Sequence, residues 1–162
     1  MHVSSGGRTD DIEVLVHTYG DNLYRLCLVM LGHVSDAEDA VQETFLKYLQ
    51  KAPAFSGPEH EKAWLITVAT NQCRDILRIR KRRPHIPADD LPFHLPAPAE
   101  SGILEALMSL PEHFRLVLTL YYVEEYPIAD IARIIGKTTS AVKMRLRKGR
   151  LLLAEAYRKE YL

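Results

Sequence analysis

The sequence carries no net charge: 21 Lys and Arg balance 21 Asp and Glu over 162 residues. It has no apolar run near the ~20 residues that a membrane span needs. Its polar start, Met1 to Asp11, has no signal-peptide core. These absences predict a cytoplasmic protein that does not insert into a membrane. There are two cysteines, Cys27 and Cys73, each within an apolar helical pattern, so no disulfide framework is expected. The seven histidines form no CxxC-like or HxxxH-like ligand spacing. No metal and no cofactor is therefore expected. Neither a strand pattern nor an internal repeat is visible. A zero net charge argues at first against nucleic-acid partners, but a total conceals where the charges lie.

Apolar residues recur instead at three- and four-residue steps, which predicts an all-α fold. Ile12, Leu15, Val16, Tyr19, Leu23, Leu26, Cys27 and Met30 make one stripe, giving a helix from about Asp10 to Leu31 that Gly32 ends. A second helix is expected to start at Ser35, where Ser35 and Glu38 have capping-box spacing, and to stop near Lys51. Ala37, Val41, Phe45, Tyr48 and Leu49 are its expected core face. The stretch from Pro53 to Pro58 reads as a loop. A third helix follows, from about Glu59 to Arg83, with Trp64, Leu65, Val68, Ile76 and Ile79 on its buried side. It ends in a cluster of Arg78, Arg80, Lys81, Arg82 and Arg83.

Five of the nine prolines fall between Pro84 and Glu100, a stretch with no lysine or arginine. This reads as an extended linker that could span on the order of 50 Å. The expected organisation is thus two small helical domains joined by a Pro-rich linker. A short tail occupies residues 1–9, the first domain 10–83, the linker 84–101 and the second domain 102–162.

The second domain contains a helix-turn-helix pattern. Ile103 to Leu110 is a short helix, and Pro111 begins another that Phe114, Leu116, Val117, Leu118 and Leu120 to Val123 pack. A helix from Ile128 to Ile135 supplies Ala132 where a second helix can cross it. Gly136 accepts a left-handed turn, and Thr138 is a plausible cap for a last helix from about Thr139 to Tyr157. Val142 and Leu146 anchor that helix inward. From Gly136 to Lys159 there are eight basic residues against one acid, Glu155. A basic helix after a tight turn suits phosphate and base contacts in the major groove. Helical spacing puts Lys143, Met144, Arg147 and Lys148 on one face, leaving Arg145 and Arg150 to contact phosphates or lock the fold.

Several motifs together resemble a known family. Leu31-Gly32, Asp36-Ala37-Glu38-Asp39, Val41 to Leu46, Ala63-Trp64-Leu65, Asn71, Asp75 and Arg78 resemble the first domain of extracytoplasmic-function sigma factors. Leu110-Pro111, Phe114-Arg115, Tyr121 and the Ile131 to Leu146 helix-turn-helix resemble their second domain. Both matches occur in the family's order.

The resemblance implies a sigma factor that binds core RNA polymerase and directs promoter-specific initiation, with no catalysis of its own. Asp36, Asp39, Gln42 and Glu43 would dock on a coiled coil of the polymerase's largest subunit, and the flap region of core polymerase would be a further contact. Phe55, Ser56, Gly57 and His60 would hold a flipped base of the −10 element, with Asn71 and Arg74 beside them. Arg78, Arg80, Lys81 and Arg82 would hold the nearby backbone. Thr138, Thr139, Ser140, Lys143, Met144, Arg145, Arg147, Lys148 and Arg150 would read the −35 element as duplex. Asp89, Asp90 and Glu100 would place an acidic linker in a basic polymerase channel. The resemblance also implies an anti-sigma protein, which in many relatives is membrane-anchored. No long C-terminal sensor extension is expected after Leu162.

Trp64 suits a core role better than stacking on melted DNA, given its apolar spacing. Two other functions compete. A DNA-binding regulator acting without polymerase would explain the helix-turn-helix but not the acidic second helix or the Phe55 loop. A metal-dependent nuclease using Asp36, Asp39 and Glu43 would have its carboxylates at i, i+3 and i+7 of one exposed helix, a weak arrangement for catalysis.

Overall fold

The computed structural model describes residues 5–82 and 101–161, with side chains over 11–82 and 102–159. Every described element is helical: α1 (Ser5–Leu31), α2 (Val34–Lys51), α3 (Pro58–Arg82), α4 (Ser101–Met108), α5 (Glu112–Leu118), a π-helical turn (Thr119–Val123), α6 (Ile128–Ile135) and α7 (Thr139–Tyr161). The chain divides into two compact units. One comprises Met1–Leu28 and Val34–Ile86, the other Val29–His33 and Pro87–Leu162. Residues 1–4 of the expected tail, Arg83 and the expected Pro84–Glu100 linker, with Asp89, Asp90 and Glu100, lie outside the described residues.

Two helix starts differ from expectation. α1 begins at Ser5, five residues before Asp10. α2 begins at Val34, so Ser35 lies within its first turn instead of capping it. A helix end is held by a few orphan groups, and its position moves easily by a residue or two.

In the first unit, Leu15, Leu23, Leu26 and Cys27 of α1 are buried, with Ala37, Ala40, Thr44 and Phe45 of α2 and Leu65, Ile66, Ala69, Thr70 and Cys73 of α3. Small Ala37, Ala40 and Ala69 occupy the buried faces where α2 and α3 pack. Thr44 is tolerated inside because its hydroxyl donates to the Ala40 carbonyl at 2.7 Å. Cys27 and Cys73 are free, buried thiols. Their mutual hydrogen bond and then burial push the Cys73 thiol well above the ordinary thiol range, which keeps it protonated and unreactive.

The expected core faces were drawn too wide. Val16, Leu49 and Ile79 are exposed, and Trp64, Val68 and Ile76 only half-buried. A helix packed on one side buries an arc, and apolar residues outside that arc stay in contact with water.

The second unit is built around Leu116, Val117, Leu118, Leu120, Ile131, Ile135, Val142 and Leu146, all nearly inaccessible. Gly149 is buried against α5: a Cβ there would lie 3.3 Å from Leu118 Cδ1, a tight contact that Leu118 would have to relieve by shifting a few tenths of an ångström. Arg115 fixes the α4–α5 turn by donating to the Met108 and Leu110 carbonyls at 3.0 and 2.9 Å. The π-helical turn corrects the expected packing of Leu120 to Val123. Glu124 N–H donates to the Thr119 carbonyl at 3.0 Å, widening one turn. Leu120 stays buried, while Tyr122 and Val123 are exposed by 55% and 70%.

Candidate polymerase and nucleic-acid interfaces

α2 has a buried face and a charged, exposed one. Ala37, Ala40, Thr44 and Phe45 point inward, whereas Glu38, Asp39, Gln42 and Glu43 are exposed. Asp36 differs from the other carboxylates. It is half-buried and paired with Arg80 at the far end of α3, forty-four residues away. Asp36 and Arg80, expected to serve different partners, therefore serve each other first.

Beside the acidic row runs an open groove of about 700 Å³ that sequence reasoning missed. Val16, Gly20 and Tyr24 of α1 and Val41, Phe45, Leu46 and Leu49 of α2 line it, with Asp21, Glu38 and Gln42 at its polar positions. A signal existed: the apolar residues of α2 spread over more than half the helix circumference, more than one core contact uses.

The loop between α2 and α3 is held by aromatic rings. Phe55 stacks on Tyr48 with centroids 6.0 Å apart and meets Trp64 and His60 edge-on at 5.9 and 5.3 Å. Trp64 also meets Tyr48 edge-on at 6.0 Å. Trp64 is thus a half-buried wall of this cluster. Tyr48 donates to Glu61 Oε2 at 2.8 Å. Burial first, then that hydrogen bond and the nearby charge, push the phenol up to about 12, so it remains a donor at neutral pH. The Ser56 amide donates to His60 Nδ1 at 3.2 Å, which leaves Nε2–H of the neutral ring as a donor on an exposed side chain.

His60, Trp64, Thr67, Asn71, Arg74, Arg78 and Arg82 recur at steps of three and four along α3, a stripe facing away from Leu65, Ile66, Ala69 and Cys73. Asn71, Arg78, Lys81 and Arg82 are exposed and Arg74 is half-buried. Arg78 pairs with Asp75 at 2.9 Å, both largely in water, so the pair is weak and either group is available to another partner. The stripe passes from aromatic to amide to cationic along its length.

In the second unit, Gly136 adopts φ 67° and ψ 38°. The Lys137 and Gly136 amides donate back to the Ala132 and Arg133 carbonyls at 3.0 and 3.4 Å, closing α6 with a Schellman turn. Thr138 Oγ1 then accepts from the Ala141 amide at 3.1 Å and caps α7. Its hydroxyl is committed to the fold. Val142 and Leu146 point inward, and Thr139, Ser140, Lys143, Met144 and Arg147 outward. The remaining cations are partly engaged. Lys148 Nζ lies 5.8 Å above the Phe114 ring, Arg150 donates to Tyr122 Oη at 3.1 Å, and Arg145 is half-buried. Burial, and secondarily the Arg145 charge, push the His113 imidazole down, so it adds no positive charge at neutral pH. Among the described residues, no three His, Cys, Asp or Glu side chains are grouped to hold a metal, and no helix is long and apolar enough to cross a membrane.

Two helical units, one bearing an acidic row and a cationic stripe and the other a helix-turn-helix, define a helical DNA-binding protein. Residues 15–83 match Sigma-70 region 2, and residues 101–153 match Sigma-70 region 4. The ECF RNA polymerase sigma factor SigW of Bacillus subtilis is 31% identical, over 95% of this chain and 90% of its own length. The ECF sigma factor SigM of Mycobacterium tuberculosis is 31% identical over 94% and 88%. Among solved structures, the sigma factor RpoE in complex with the anti-sigma factor NepR, from Bartonella quintana, shares the fold. Its TM-score is 0.75 at 23% identity, covering 91% of this chain and 97% of that one. CnrH in complex with the cytosolic domain of CnrY gives a TM-score of 0.66 at 23% identity, covering 93% and 89%. The chain belongs to the ECF RNA polymerase sigma factors. It directs promoter-specific transcription initiation, with core RNA polymerase and promoter DNA as its partners.

Proposed function

We propose a division of this work among the named surfaces. Residues 10–83 bind polymerase and the −10 element, and residues 102–162 read the −35 element. Asp39, Gln42 and Glu43, with the adjoining groove, dock on the coiled coil of the polymerase's largest subunit. Exposed acids supply complementarity and a fast encounter, while an apolar groove beside them supplies the area that surface charge alone does not. Asp36 acts indirectly, by holding Arg80.

The single observation that carries the reading of the −10 element is the stripe on α3. An extruded base needs ring faces and a hydrogen-bonding edge, which the Phe55 loop, His60 and Asn71 offer. The strand leading away from it needs cations, which Arg74, Arg78, Lys81 and Arg82 offer one to three turns further on. The −35 element is read by α7 through Thr139, Ser140, Lys143, Met144 and Arg147, with Arg145, Lys148 and Arg150 nearer the phosphates. Binding energy opens the DNA. Polymerase makes the RNA, and this chain is not an enzyme. It works in the cytoplasm, where an anti-sigma protein holds it inactive; the complexes of RpoE with NepR and of CnrH with CnrY support that reading.

Three sets of variants separate these roles. Asp39→Lys with Glu43→Lys lowers affinity for core polymerase at least tenfold. Asn71→Ala with His60→Ala keeps that affinity but reduces permanganate reactivity of melted thymines. Lys143→Ala with Arg147→Ala keeps both on a pre-melted promoter and loses binding to the intact one. If all three sets impaired the same step equally, this division would be wrong.

A further inference from the structure

We propose that Met144 determines part of the promoter sequence by packing its thioether against the C5 methyl of a thymine in the duplex element that α7 reads. The inference rests on the reading that α7 enters the major groove, and goes beyond it by naming a base and an atom.

Met144 is 72% exposed, the most exposed large apolar side chain among the described residues. It gains nothing there from the core, which Val142 and Leu146 fill from the same helix. Its surroundings on the outward face are polar: Thr139 and Ser140 one turn before, Lys143 beside it, Arg147 and Lys148 one turn after. Hydroxyls and cations suit phosphates and the acceptor edges of purines. A thioether is a poor hydrogen-bonding group and suits neither. The thymine methyl is the one apolar feature the four bases present in the major groove. Met is long, unbranched and polarisable, and adapts to such a target without demanding one geometry.

Leu151 is also exposed, seven residues further along nearly the same line. It lies two turns deeper into α7, whereas the first turns of a recognition helix reach base edges. Lys148 and Arg150 are drawn towards Phe114 and Tyr122. The first two and a half turns therefore present Lys143, Met144 and Arg147 together, an apolar contact between two cations.

The test uses holoenzyme, core polymerase plus the full chain, on a promoter recovered by transcription from genomic fragments. Each thymine of the upstream duplex element is replaced in turn by deoxyuridine, which removes one methyl group and no hydrogen bond. At one position, the wild-type holoenzyme is expected to bind about fourfold more weakly, the worth of one buried methyl. Met144→Ala, an exposed substitution that leaves the fold intact, should bind the normal promoter more weakly and be indifferent to deoxyuridine at that position. Wild-type binding that ignores every replacement would overturn the proposal. So would Met144→Ala that remains as sensitive as wild type. Lys143→Ala with Arg147→Ala is run alongside. If that pair binds the intact promoter normally, α7 does not read it, and both the groove reading and the thymine contact fail. If the pair loses binding while deoxyuridine has no effect, only the thymine contact fails.

Discussion

Asp36 shows what one side chain's surroundings add to its sequence position. With its acidic neighbours it reads as part of a docking surface, but it turns inward and holds Arg80 across α2 and α3. Both side chains keep roughly a third of their exposure, so the pair contributes about 1 kcal/mol. Asp36→Ala is expected to destabilise the first domain by about that amount, and the exchange Asp36→Arg with Arg80→Asp to recover part of it. Urea unfolding of wild type, Asp36→Arg, Arg80→Asp and the double exchange measures that recovery, with Asp36→Ala run alongside. Equal, additive losses with no recovery would mean the pair contributes nothing. Contact across forty-four residues has no local sequence signal, which is why the two residues were read as serving separate partners.

At the scale of elements, the sequence was most informative where chemistry is local. Gly136, Thr138 and the α6 boundaries were legible because a left-handed turn and a hydroxyl cap demand particular residues. Gly136→Ala should cost about 1–2 kcal/mol, because the backbone sits at φ 67° and a Cβ is strained there. Nothing lies within 4 Å of the Cβ it would add, so the loss comes from the backbone and not from a clash. Thr138→Ala should cost about 1 kcal/mol through the lost cap. Thermal unfolding monitored by circular dichroism compares them, and a Gly136→Ala protein as stable as wild type would contradict the turn. The π-helical turn was not legible. TLYYV has ordinary helical periodicity, and the wider turn arises from hydrogen bonds to Thr119 and Leu120 that composition does not encode. The groove between α1 and α2 was missed for a related reason: the expected core face of α2 includes Leu49, which lines the groove on a side where α2 has no core.

For the whole molecule, a balanced total charge conceals opposite local fields. Exposed acids gather on α2, and exposed cations on α3 and α7. The fold class and family followed from patterns spread across the chain. The groove and the Asp36–Arg80 pair needed three dimensions. Through these surfaces the chain is proposed to give core polymerase its promoter specificity. Run-off transcription tests it most directly: purified core polymerase, with and without the chain, on a library of genomic fragments. The account predicts discrete transcripts that need the chain and vanish when Asp39 and Glu43 are both replaced by Lys. Transcripts unchanged by that double substitution would contradict the proposed docking surface, and no chain-dependent transcripts at all would contradict the account as a whole.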